Sequence, residues 1–180
     1  MKIYLLTKNT GKLKAAKSVF DKYNIDILLV EKEYPEIQAD SSLEIAKYSA
    51  IKAAKDLNAP VVREDHSLFI NDEFRFPGPY TNYFEKKIPV ETLLKILAII
   101  GGNSGEFEVA TVCAYPNGST FDFVFKVPMS FGNENKSTRK GWGGLIHLNN
   151  EKRAITEYPE EERLEIWNRG YEEIAKHLVV

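Results

Sequence analysis

The chain has 180 residues, 43% of them hydrophobic and 28% charged, enough for one ordinary domain or a two-lobed one but not for two independent domains and a linker. Twenty-four Lys and Arg against 26 Asp and Glu, a formal net charge of −2, leave no basic footprint for duplex nucleic acid or an anionic membrane. A single cysteine, Cys113, excludes an intrachain disulfide framework and a zinc ribbon, and the three histidines, His66, His147 and His177, lack metal-ligand spacing.

The first residues have no signal-type apolar region of adequate length and no small-residue cleavage site before Lys8 and Asn9, so the chain is expected to be cytoplasmic. Residues 3–7 read as a strand ending in a polar turn. Residues 11–23 carry Leu13, Ala16, Val19 and Phe20 at helical spacing, and residues 25–30 are β-rich, which together predict a βαβ unit with parallel strands. After a polar loop over 31–40, Ser41-Ser42-Leu43-Glu44 matches a capping box. The helix it opens keeps Leu43, Ala46, Ala50, Ala53, Ala54 and Leu57 on one stripe until Asn58-Ala59-Pro60 stops it. Val61-Val62 start a strand that runs into Arg63-Glu64-Asp65. Residues 69–70 and 74–76 read as short strands around an Asn71-Asp72 turn, before the breaker Pro77-Gly78-Pro79.

Residues 90–100 predict a helix closed by Gly101-Gly102, and their apolar run from Leu93 to Ile100, broken by Lys95, is far short of the ~20 residues that span a bilayer. Residues 106–115 and 120–127 alternate around the hairpin signal Pro116-Asn117-Gly118-Ser119, which predicts a solvent-facing antiparallel ribbon with Cys113 as a small core or sheet residue. Residues 131–140 read as a polar loop and 145–148 as a short strand. Residues 160–178 read as one closing helix with Leu164, Trp167, Tyr171, Ile174 and Leu178 on one face.

Three places carry residues suited to chemistry. Thr7-Lys8-Asn9-Thr10-Gly11-Lys12 sits where a strand ends and a helix begins, so free backbone N–H groups and the positive end of a helix dipole favour an anion there. It is not a Walker A loop, because Leu13 follows Lys12; the plainer reading is a polar turn with Asn9 or Thr10 as N-cap. Glu64-Asp65 is expected at the end of a buried strand, where adjacent carboxylates invite a cation, and Glu36 can reach the same rim; one or two carboxylates with waters and substrate phosphates suit Mg²⁺. The plainer reading is a solvated acid pair. Trp142, among the glycines of Gly141-Trp142-Gly143-Gly144, is poorly placed for a core and well placed to stack on a flat ligand.

In this order the segments resemble the inosine triphosphate pyrophosphatase family, which removes non-standard purine nucleoside triphosphates. Thr7-x-Asn9-x-x-Lys12 resembles its triphosphate loop, Pro35-Glu36-Ile37-Gln38 with Leu43-Glu44-Ile45-Ala46 its metal loop and next helix, and Glu64-Asp65-His66-Ser67-Leu68 its acidic motif. Phe76-Pro77-Gly78-Pro79-Tyr80-Thr81 resembles the Pro-Gly-x-Tyr-Ser segment, while Gly141-Trp142-Gly143 and Asn168-Arg169 fall where the family keeps its base pocket.

The resemblance implies one pyrophosphatase-like domain over 1–180, an α/β fold with a long mixed sheet flanked by helices in two lobes with a cleft, and a homodimer. It implies hydrolysis between the α- and β-phosphates, with Asp65 holding Mg²⁺ (or Mn²⁺) and activating water, Glu36 as second metal ligand and Glu64 in support. Thr7, Asn9 and Lys12 would neutralise the triphosphate; His66, Tyr80, Trp142, Arg163, Asn168 and Arg169 would contact the rest of the purine nucleotide. Neither nucleic acid nor membrane is an expected partner.

Departures from the family pattern gather in the base pocket. Gly144 and Leu145 replace a Tyr/Trp-Asp pair, Trp167-Asn168-Arg169 stands for Ser-His-Arg, and Arg163 stands for a Lys. Elsewhere Ala15 replaces a Glu, His66 a small polar residue and Ser49 a Lys. An active pyrophosphatase and a nucleotide-binding homologue without efficient turnover are both compatible with this pattern; Glu36, Asp65 and Lys12 favour the first.

Overall fold

The computed structural model describes residues 1–70, 75–138 and 140–180. β1 (Lys2–Leu5) lies parallel to β2 (Asp26–Leu29), and α1 (Thr10–Phe20) with a 3₁₀ turn over Asp21–Tyr23 connects them, so the expected βαβ unit is present. α2 (Ser42–Leu57) starts at the expected cap, where Ser41 Oγ accepts the Glu44 N–H at 3.2 Å, and ends at Asn58 in the left-handed region, φ 50°. β3 (Val61–Ile70) then pairs parallel with the other side of β1, Tyr4 opposite Val61 and Leu5 opposite Val62. Its ten residues correct the expectation that Glu64-Asp65 ends a strand: the stretch contains no Gly or Pro, and Leu68-Phe69-Ile70 continues into antiparallel pairing with β4 (Phe76–Gly78).

The strand expected over 74–76 begins at Phe76, and the anticipated turn at residues 71 and 72 lies outside the described residues. α3 (Thr81–Lys87) is an addition to the sequence reading. It has no side-chain N-cap, but Thr81 Oγ1 accepts the Leu68 N–H at 2.9 Å and donates to the Gly78 carbonyl at 2.6 Å. α4 (Val90–Ile100) closes at Gly101, φ 73°, as expected.

β5 (Ser104–Ala114), β6 (Thr120–Phe131) and β7 (Ile146–Leu148) complete one mixed sheet in the order β2-β1-β3-β5-β6-β7, with β4 beside β3. The hairpin at residues 116–119 is present, but the ribbon is not solvent-facing. β5 sits between β3 and β6, and Val109 to Ala114 are all buried. Alternation on β5 separates two apolar clusters instead of core from water: Cys113 packs with residues of α1, and Val112 and Ala114 with residues of α2.

The single closing helix is two, α5 (Glu160–Trp167) and α6 (Arg169–Val179), separated at Asn168. α6 buries Gly170, Tyr171, Ile174 and Ala175, whereas α5 buries only Ile166. A Cβ at Gly170 would overlap Thr111 Oγ1, so α6 lies directly on β5, a close approach that periodicity alone does not reveal. Among the described residues, no helix is long and apolar enough to cross a membrane.

The chain forms two compact units. The first comprises Met1–His66, Val109–Phe125 and Leu164–Val180; the second comprises Ser67–Glu108 and Lys126–Arg163. In the first, Ile3, Leu5, Phe20 and Tyr171 belong to one core cluster, and Leu6, Val30, Ala46, Ala50 and Val61 to the other. In the second, Leu93, Met129, Trp142, Leu145 and Leu148 are all buried.

Candidate active site

Connections leave β1 toward opposite sides, to β2 through α1 and on to β3, so the carboxyl end of β1 is a topological switch point of the kind that binds ligands in open α/β sheets. β1 stops at Leu5, and its pairing with β3 stops at Val62, where the Leu6 N–H donates to the Val62 carbonyl at 2.9 Å. Arg63, Glu64 and Asp65 therefore project past the last paired residue of β1, beside the 7–12 turn. The acids stand in mid-strand, yet they still reach the ligand-bearing rim.

Asn9 is the N-cap of α1: its Oδ1 accepts the Gly11 N–H at 2.8 Å and the Lys12 N–H at 3.3 Å, and its own N–H donates to Thr7 Oγ1 at 3.1 Å. The cap takes up two of the donors expected for an anion. The Asn9 side-chain amide N–H₂ and the Lys12 ammonium are then the positive groups of the turn. Lys12 Nζ donates to the Glu64 carbonyl at 2.9 Å and lies 3.9 Å from Glu64 Oε1, so it is already aimed at the acidic strand.

Strand alternation puts Arg63 and Asp65 on one face of β3 and Glu64 and His66 on the other. Glu64 is 3% exposed, and its charge is met by Lys12 and by His66, whose Nε2 lies 2.8 Å from Oε1 but is misaligned for a hydrogen bond. Tyr171, fully buried beneath, faces the same carboxylate; burial first and Glu64 second push its phenol well above the ordinary range. On the opposite face, burial pushes the Asp65 carboxyl above its usual value, with Lys12, Arg63 and His66 pulling it down and Glu36 pushing it up. Glu36 Oε1 itself accepts from Arg63 Nη2 at 2.6 Å. Among the described residues, no three His, Cys, Asp or Glu side chains converge into a metal cluster. The donor set is instead two carboxylates, a desolvated Asp65 and an exposed Glu36, which matches a cation that keeps waters and substrate phosphates as its other ligands.

A model of the Ham1 family matches residues 3–171. The chain belongs to the Ham1 family. It is 33% identical over 172 residues to the dITP/XTP pyrophosphatase of Methanopyrus kandleri, covering 94% of this chain and 90% of that protein. It is 32% identical to that of Ignicoccus hospitalis, covering 98% and 96%. The fold superimposes on a Ham1 protein from Coxiella burnetii with a TM-score of 0.84 at 19% identity, covering 99% of this chain and 98% of that one. The Staphylococcus aureus Ham1 protein gives 0.81 at 19% identity. The family resemblance and the mixed α/β sheet expected from it are thus borne out.

Within this Ham1-family chain, the first unit brings together Thr7, Asn9, Lys12, Glu36, Glu64, Asp65, His66, Asn168 and Arg169. Arg169 is exposed and holds its guanidinium 5.7 Å from the Phe125 ring centroid. Tyr80, Trp142 and Arg163 belong to the second unit: Tyr80 is 41% exposed at the start of α3, and Arg163 is half-buried on α5. Trp142 requires a correction. It is 1% exposed, its indole N–H donates to the Ile88 carbonyl at 3.0 Å, and its backbone N–H donates to Glu85 Oε1 at 2.8 Å.

The glycines around Trp142 allow close packing. At Gly141, φ 98°, a Cβ would lie 2.6 Å from Glu85 Oε1, and at Gly144 it would lie 2.7 Å from the Ser137 N and overlap Asn135. Leu145 is fully buried beside them, and Ala15 and Ser49 are buried in their helices. These departures from the family pattern are core residues here.

The sequence reading overlooked Arg63, which holds Glu36 and faces Asp65, and Tyr171, which faces Glu64. Period-two alternation along β3 would have found Arg63. No local signal announces Tyr171, because its partner is 107 positions away along the chain.

Proposed function

We propose that this chain hydrolyses 6-oxopurine nucleoside triphosphates, of the inosine, xanthosine or guanosine type, to the monophosphate and pyrophosphate with Mg²⁺, for which Mn²⁺ substitutes. The observation that carries this reading is the meeting of Lys12 with the desolvated Asp65 past the end of β1, a cation and a proton acceptor at one rim. Lys12 neutralises the triphosphate, and the Asn9 amide adds a donor. The Asp65 carboxylate accepts a proton from the attacking water as a phosphorus–oxygen bond forms and pyrophosphate leaves. A divalent cation held by Asp65 and Glu36 would supply Lewis-acid polarisation of the phosphate oxygens. Glu64 holds Lys12 in place, and Arg63 restrains Glu36 until the cation competes for it. A homodimer and a cytoplasmic location belong to the same proposal, and light scattering of the purified protein reads the first.

The test is a panel of inosine, xanthosine, guanosine and adenosine triphosphates with Mg²⁺, scored for pyrophosphate. Release is expected from the 6-oxopurines, with a preference over adenosine triphosphate weaker than the ~10⁴-fold of sites with full hydrogen-bond readout, because Leu145 and Asn168 replace two polar groups. No pyrophosphate from any member would overturn the assignment.

Lys12→Ala is expected to raise KM roughly 10- to 100-fold, the size of a lost hydrogen bond to a charged group, with kcat changed far less. The variant is also expected to melt earlier, because buried Glu64 loses a cation. An unchanged KM counts against the phosphate turn.

A further inference from the structure

Burial of Trp142 removes the aromatic surface that the sequence offered for a purine, while two departures from the family pattern meet in the first unit. His66 stands where the pattern has a small polar residue and Trp167 where it has Ser. Their rings lie 5.2 Å apart, centroid to centroid, with an interplanar angle of 35°. Both are half-buried, so part of each ring reaches solvent. His66 directly follows Asp65, and its Nε2 stands 2.8 Å from Glu64 Oε1, which fixes the imidazole through a carboxylate that is 3% exposed. Trp167 is followed by Asn168 and Arg169, groups with donors for a base edge.

We propose that the His66–Trp167 pair is the stacking platform for the nucleobase, the role the sequence assigned to Trp142. The inference rests on the nucleoside triphosphate reading and deepens it. A π-face accepts any base, so the platform supplies affinity shared by all purines, and discrimination falls to polar neighbours such as Asn168 and Arg169. A ring held by a buried acid is pre-organised, so little side-chain entropy is lost when a base settles on it.

The experiment separates base from phosphates. Affinities of α,β-methylene inosine triphosphate and of inorganic tripolyphosphate, both with Mg²⁺, are measured by calorimetry for the wild type, Trp167→Leu and His66→Ser. Weakening of the nucleotide analogue by about 5- to 100-fold is expected, with tripolyphosphate unchanged within about twofold. In steady state, KM rises for every base while kcat holds. Unchanged analogue affinity in both folded variants overturns the inference, as does an equal loss for both ligands, which would make the pair part of the phosphate site. A wild type that binds neither ligand overturns the nucleotide reading itself, and this inference with it. Where Trp167→Leu does not fold, tryptophan fluorescence of the wild type, which has two Trp, decides: quenching by the analogue and not by tripolyphosphate supports the platform, and absence of quenching overturns it.

Discussion

Asp65→Asn is expected to lower pyrophosphate release at least ~100-fold while raising the stability of the metal-free protein at neutral pH. The first effect follows from removing the proton acceptor and a cation ligand, losses that cost about that much in general-base and metal-assisted reactions. The second follows from burial, which pushes the Asp65 carboxyl above its ordinary value. The folded state then binds the proton more tightly than the unfolded chain. The contribution of this carboxyl to stability is complete below the unfolded carboxylate range, near pH ~4, and is lost as pH rises through the raised native value. At pH 7 the wild type therefore bears the cost of a desolvated charge that Asn lacks. Melting curves in chelator should put Asp65→Asn above the wild type at pH 7, with the gap closing in acid. Mg²⁺ should raise the wild type and leave the variant nearly unmoved. Near-normal turnover removes Asp65 from the mechanism; identical melting temperatures at pH 7 remove the desolvation argument.

Trp142→Ala is expected to be the most destabilising of these changes, by about 3–5 kcal/mol, the usual cost of emptying a buried aromatic site. For a chain of this size that corresponds to a melting temperature lower by roughly 6–20 °C. The indole is almost wholly enclosed, and its loss also leaves the Ile88 carbonyl without its 3.0 Å donor. Chemical denaturation measures the effect, and nucleotide affinity of the fraction that remains folded separates it from binding. Undiminished stability with weakened affinity for every base would return the stacking role to Trp142.

These two residues also mark where sequence reading succeeds and where it stops. Asp65, Glu64 and Lys12 were legible because a strand–turn–helix at the amino terminus and an acidic pair after Val61-Val62 are local patterns, set by alternation, capping and turn chemistry within a few residues. The βαβ unit, the Ser41 cap and the Gly101 stop are legible for the same reason. Trp142 was misread because glycine neighbours carry two meanings that local sequence cannot separate. They permit motion, or they permit another segment to approach closely, and at Gly141 and Gly144 that segment is Glu85 in one case and residues 135–137 in the other.

The misplaced ribbon and the divided closing helix have a like cause. Whether an alternating strand faces water depends on what covers each face, and β5 is buried because residues of α1 and α2 pack on its opposite sides. Whether a helical stripe runs unbroken depends on how near its backbone must come to a neighbour, here Gly170 against Thr111. By itself the sequence determined the element types, the phosphate turn and the acids, all governed by short-range backbone and side-chain preferences. Tertiary structure alone decided which aromatics are enclosed and which partners meet the buried carboxylates, because burial and charge pairing depend on contacts between residues far apart in the chain.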